Sequence, residues 1–90
     1  MPDDEIRLTL PADEDLVAVV IALVGALARR AGWDADRTTR LRDEARRAFG
    51  QVMERGHGDR IDCIAWARSR EVFFELRREG WTETNKNRSG

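Results

Sequence analysis

Apolar and polar residues alternate near the start of the chain: Ile6, Leu8 and Leu10 fall on one side, Arg7 and Thr9 on the other. A period of two predicts a first strand with one buried face, and Pro11, which has no backbone N–H to give a ladder, ends it. The period then changes. Residues 16–28 carry no charge, with Asp13-Glu14-Asp15 before them and Arg29-Arg30 after. Acid at the start and base at the end complement a helix dipole, and Gly32 supplies a stop, so the run reads as a soluble helix. It is too short to span a bilayer.

At 100° per residue that helix sorts its residues by size. Leu16, Val19, Val20, Leu23, Val24 and Leu27 share one broad face, and Ala18, Ala22, Gly25 and Ala26 share the other. The large face is the one a sheet or a second helix would bury. The small face has no charge to keep it wet, which leaves two readings: a helix enclosed within its own domain, or a self-association surface.

Beyond Trp33, Asp34 or Asp36 caps a second helix that runs to about Arg55, with Leu41, Ala45, Ala48, Phe49, Val52 and Met53 recurring at three- and four-residue spacing. Gly56-His57-Gly58-Asp59 reads as a turn. A second strand then puts Ile61, Cys63 and Ala65 on one side and Asp62, Ile64 and Trp66 on the other. Ser69-Arg70 marks a tight hairpin into a third strand, whose Val72, Phe74 and Leu76 oppose Phe73, Glu75 and Arg77. The predicted fold is α+β: two helices on one face of a three-stranded, antiparallel-rich sheet, in the order β-α-α-β-β. Residues 1–80 make one domain, and 81–90 read as a polar, flexible tail.

Composition narrows the function. The 90 residues carry a net charge of −1, which argues against a general binder of nucleic acid or membrane surfaces. Cys63 is the one cysteine, so no intramolecular disulfide or cysteine-based zinc site forms. His57 sits between two glycines and reads as an exposed turn residue, with no second histidine to complete a metal site. Asp3, Asp4 and Glu5 occupy the place where a signal peptide would be basic, so a cytoplasmic protein is expected.

Glu44 lies on the flank of the second helix, one turn before Ala48. In this setting a glutamate and an asparagine four apart form the first nucleotide-site motif of the histidine-kinase-like (GHKL) ATPases. The chain resembles that superfamily, and within it the anti-sigma-factor serine kinases, over residues 5 to about 81. The opening strand, Pro11-Ala12, an acidic step and a long apolar helix belong to the same likeness. The resemblance implies that the glutamate acts as a general base or polarises the attacking group, while the asparagine holds the magnesium ion that bridges the phosphates. Glu44 matches the first role, whereas the methyl group of Ala48 offers a metal no oxygen. The family's next motif is Asp-x-Gly, whose aspartate reads the adenine amino group; here the place is taken by Arg78-Glu79-Gly80, and Arg78 is a donor where an acceptor is needed. As given, the chain leaves no room after Gly80 for a second glycine-rich segment and a phosphate lid.

The expectation is therefore a degenerate, truncated member without catalytic residues or bound cofactor. It would be a regulatory interaction domain that binds a sigma factor or an anti-sigma antagonist, or that dimerises. The alternative is an ATP-binding serine/threonine kinase that uses ATP and magnesium in a rebuilt site, with Glu44 active. Two surfaces are candidates for a partner. Ile64, Trp66 and Phe73 form an exposed apolar patch if the helices cover only the other side of the sheet; the opposite register would make them core. Arg40 and Arg47, with Arg37, Gln51 and Arg55, line the Glu44 flank as a basic row for an acidic partner or small anion, or as an ordinary solvated face.

Overall fold

The computed structural model describes residues 4–85. Its elements are β1 (Asp4–Pro11), a 3-10 turn (Glu14–Leu16), α1 (Val17–Arg30), α2 (Ala35–Arg55), β2 (His57–Arg68), β3 (Glu71–Glu79) and β4 (Trp81–Thr84). All strands pair antiparallel with their chain neighbours, in the order β1-β2-β3-β4. Both helices lie on one face, α1 against β2 and β3, α2 against β3 and β4. The α+β class stands, but the sheet has four strands rather than three.

The fourth strand is the main correction. Gly80, at φ 87°, turns the chain back on itself, and Arg78, Arg77, Leu76 and Glu75 then face Trp81, Thr82, Glu83 and Thr84. Only Gly adopts that φ without penalty. Asn85 prolongs the pairing with its side chain, accepting from the Phe74 N–H at 2.8 Å and donating to the Val72 carbonyl at 3.0 Å. Residues 81–84 are thus strand and not tail; the flexible tail expected over 86–90 lies outside the described residues.

Helix ends follow their chemistry. Asp34 caps α2, accepting from the Arg37 N–H at 2.8 Å, which decides between the two aspartates. At the end of α1, Trp33 N–H donates to Ala28 O at 3.0 Å and Gly32 N–H to Arg29 O at 3.0 Å, with Gly32 at φ 86°. That is a Schellman ending. The expected turn at 56–59 is instead mostly strand, since β2 begins at His57, with a register irregularity between His57 and Asp62.

The core holds Val20, Val24 and Leu27 of α1, Leu41, Phe49 and Val52 of α2, and the inward row Ile61, Cys63, Val72, Phe74 and Leu76 of the sheet. The size-sorted expectation for α1 holds at buried Val20, Val24 and Leu27 and departs at two positions: Gly25, on the small face, is buried, whereas Val19, assigned to the large face, is 38 % exposed. The cause is α2: a Cβ on Gly25 would meet Arg42 Nε at 3.3 Å, so the small side of α1 admits the neighbouring helix. Ala18 and Ala22 stay exposed. No helix among the described residues is long and apolar enough to cross a membrane.

Candidate functional site

Glu44 and Ala48 sit in a shallow groove between α2 and β4, about 510 Å³ in volume, with Arg47, Gly50, Gln51, Glu54 and Glu83 completing its walls. Ala48 is buried against the core. The Glu44 flank of α2 therefore faces the last strand. Trp81 stands there too, with the Arg55 guanidinium 4.9 Å from its ring centroid and its indole N–H donated to Glu83 at 2.6 Å. The donor set does not fit ATP and magnesium. Glu44, Glu54 and Glu83 put three carboxylates in a groove whose one basic lining residue is Arg47, which repels phosphates, and the Ala48 methyl offers a metal no oxygen.

Arg78 has a different occupation. Its Nη1 donates to Met53 O at 2.9 Å and Val52 O at 3.3 Å, and its Nε to Gly58 O at 3.0 Å. A guanidinium thus closes the C-terminal carbonyls of α2, where a cation also complements the helix dipole. The same side chain passes so close to Gly56 that a Cβ there would lie 2.8 Å from Arg78 Cβ and Cδ. Arg78 is here a structural clasp.

The open face of the sheet carries the apolar candidates. Antiparallel neighbours share a face, so the pairings Glu5↔Trp66↔Phe73 and Arg7↔Ile64↔Glu75 place Ile64, Trp66 and Phe73 together, away from the helices. All three are half-buried. The Trp66 and Phe73 rings stack, centroids 5.5 Å apart at 29°. Around them the charged residues pair with one another: Arg7 with Glu5 at 2.7 Å, Arg77 with Glu75 at 2.5 Å, and Thr9 donates to Asp62 at 3.0 Å. The rim is thus polar but nearly neutral.

The basic row is not one surface. Arg40 and Arg47 are exposed, but Arg37 stacks on Trp33 at 3.6 Å and pairs with Glu71 at 3.1 Å, and Arg55 covers Trp81 while donating to Gln51 at 2.8 Å. Trp33 does more than fill space between helices. Its indole N–H donates to Arg70 O at 2.7 Å, tying the α1–α2 connection to the β2–β3 turn. His57 is exposed beside Gly80, as expected for a surface residue. Cys63 is fully buried, and desolvation pushes its thiol up to about 11, so it is no nucleophile near neutral pH. Among the described residues no group of three or more His, Cys, Asp or Glu is placed to hold a metal ion.

Sequence reasoning missed Glu83 as a wall residue and Trp81 as its hydrogen-bond donor, because it gave both to a tail. The signal present was Glu79-Gly80, a turn dipeptide directly before a tryptophan. No protein-family model matches the chain, and no curated protein matches it.

Proposed function

We propose that this chain is a non-catalytic regulatory domain related to the anti-sigma-factor kinases, and that it works in the cytoplasm by holding a protein partner on the open face of its sheet. The observation that carries this reading is the Trp66–Phe73 stack beside Ile64, half-exposed on the face no helix covers. Stacked aromatics inside a polar rim are the residue types that dominate binding energy at protein interfaces. Because the rim charges are already paired within the sheet, affinity rests on the apolar centre. The partner that fits is a protein segment with an apolar ridge; by the resemblance it is a sigma factor or an anti-sigma antagonist. The carboxylate-rich groove at Glu44 and the engagement of Arg78 support the non-catalytic half of the reading.

A pull-down from the native host tests it, with wild type beside Trp66→Ala and Ile64→Asp, each checked for folding by circular dichroism. Wild type captures one specific partner. Truncating a central tryptophan removes about 2 kcal/mol or more, roughly thirtyfold in affinity, so Trp66→Ala loses that partner. A partner retained by both folded variants overturns the sheet-face proposal.

A further inference from the structure

The basic residues of the chain are not evenly spread. Where the α1–α2 connection meets the β2–β3 turn, a cavity of about 650 Å³ is lined by Arg30, Arg37, Arg68 and Arg70, with Trp33 and Ser69 among them. No carboxylate lines it, on a chain whose net charge is −1. Of the acids flanking these arginines in sequence, Glu71 is paired with Arg37, Asp34 caps α2, and Asp36 lies outside the lining. Like charges gathered around one space repel, and an anionic guest relieves that repulsion.

Trp33 organises the array. The Arg37 guanidinium lies 3.6 Å from its ring centroid, and its indole N–H donates to the Arg70 carbonyl at 2.7 Å. Arg37 gives Glu71 only Nη2, at 3.1 and 3.2 Å from the two carboxylate oxygens. Its Nε and Nη1 have no acceptor among the described residues. A guanidinium already held on a ring loses little freedom when it donates to a further carboxylate, which favours binding.

The β2–β3 turn is strained in order to carry Arg70. Ser69 and Arg70 stand at φ 51° and 67°, in the left-handed region where glycine or asparagine sits at least cost. Arg70 is exposed, and its side chain forms no ion pair among the described residues. Only its backbone serves the fold. A glycine would make this hairpin more easily, so the guanidinium has a use beyond the chain's own contacts.

We propose that this cavity docks an acidic segment of another protein, a run of Asp or Glu side chains. Its four arginines come from the end of α1, the first turn of α2, the end of β2 and the turn beyond it. Engaging them all takes several carboxylates spaced along a chain, each pair weak alone and the set strong together. Arginine meets a planar carboxylate with two parallel N–H bonds, for which the fork held on Trp33 is already placed. Magnesium-bound ATP concentrates its charge in one metal-held cluster and reaches only part of the array. A nucleic-acid backbone calls for a longer basic stripe on a basic domain. Buried Ala67 puts the cavity on the helix side of the sheet, apart from the Ile64–Trp66–Phe73 face, so either surface can fail without the other.

Fluorescence anisotropy of a labelled oligoglutamate peptide, titrated with the purified full chain at low salt, tests this. The peptide binds, its binding falls steeply as salt rises, and oligoglutamine does not bind. Arg70→Gly melts no lower than wild type yet weakens binding about tenfold, a split that a merely structural role would not give. Glu71→Gln frees the Arg37 fork and tightens binding. Arg60→Gln removes an exposed arginine at the other end of β2 and leaves binding unchanged. Absence of binding at low salt overturns the proposal. So does a loss in Arg60→Gln equal to that in Arg70→Gly, because net charge alone then accounts for the affinity. Displacement of the peptide by ATP with magnesium, or by a single-stranded oligonucleotide, as readily as by unlabelled oligoglutamate overturns it too, since the ligand is then a phosphate.

Discussion

Gly56 and Arg78 fit each other with no space to spare: a single Cβ added at Gly56 would lie 2.8 Å from the Arg78 side chain and 2.9 Å from the Val52 carbonyl. The arginine needs that space to reach the carbonyls at the end of α2. Gly56→Ala therefore forces the clasp apart, and Arg78→Ala removes it. Each substitution should cost about 2 kcal/mol, or about 10 °C in melting temperature for a domain of this size. The pair should be far from additive, since both act on one contact. Thermal melts of the two single variants and the double variant check this.

Between the helices, Arg42 Nε is buried with no hydrogen-bond partner among the described residues. An unsatisfied buried donor costs about 1–3 kcal/mol. Arg42→Met keeps the long unbranched stem against Gly25 and deletes the donor, so it should raise stability by about 1 kcal/mol in urea unfolding. A loss of stability would show that the guanidinium holds the helices together.

The buried thiol of Cys63 predicts an alkaline effect. Its neutral form is favoured in the fold, where the thiol titrates at about 11 instead of 9.0. Between those values the unfolded chain gives up the proton first, so stability is full below pH 9 and declines as pH rises toward 11. The loss is roughly 2–3 kcal/mol, and Cys63→Ala or Cys63→Val should flatten that limb of the pH–stability curve. At neutral pH, alkylation of native protein should proceed at the rate of unfolding.

Nucleotide should leave the protein unchanged. With no oxygen ligand at Ala48 and with Glu83 lining the same groove as Glu44, ATP with magnesium should shift neither the melting temperature nor the tryptophan emission, although Trp81 donates to Glu83 beside that groove. Glu44→Gln should be silent in the same assays. A melting shift that grows with ATP concentration would restore the kinase reading.

Much of this was legible in the chain. Alternation through Ile61–Trp66 and Val72–Arg77 sorted the side chains of β2 and β3 into the two sets seen, because a strand has a period of two, and the helices decided which set is buried. Other features were hidden for definite reasons. Trp81-Thr82-Glu83-Thr84 has no apolar alternation, since β4 is an edge strand whose identity comes from the Gly80 turn and its pairing with β3. The facing of α1 was read correctly at Val20, Val24, Leu27, Ala18 and Ala22 but not at Val19 and Gly25, because a helix apolar all round carries little angular signal and Arg42 packs on Gly25, a tertiary contact. Arg78 declared its charge in the sequence but not its destination. The carbonyls it binds lie about twenty-five residues away, at Val52 and Met53.

The order of the strands also bears on how the molecule assembles in time. Tight turns join β2, β3 and β4, so those three can zip up as local hairpins, whereas β1 must wait until residues 12–56 have folded into helices and brought its ends together. Until then the outer edge of β2 stands bare beside the apolar row Ile61, Cys63 and Ala65. β1, synthesised before the other three strands, is thus the last of the four to find its place, and the nascent sheet stays vulnerable to stray pairing until it does.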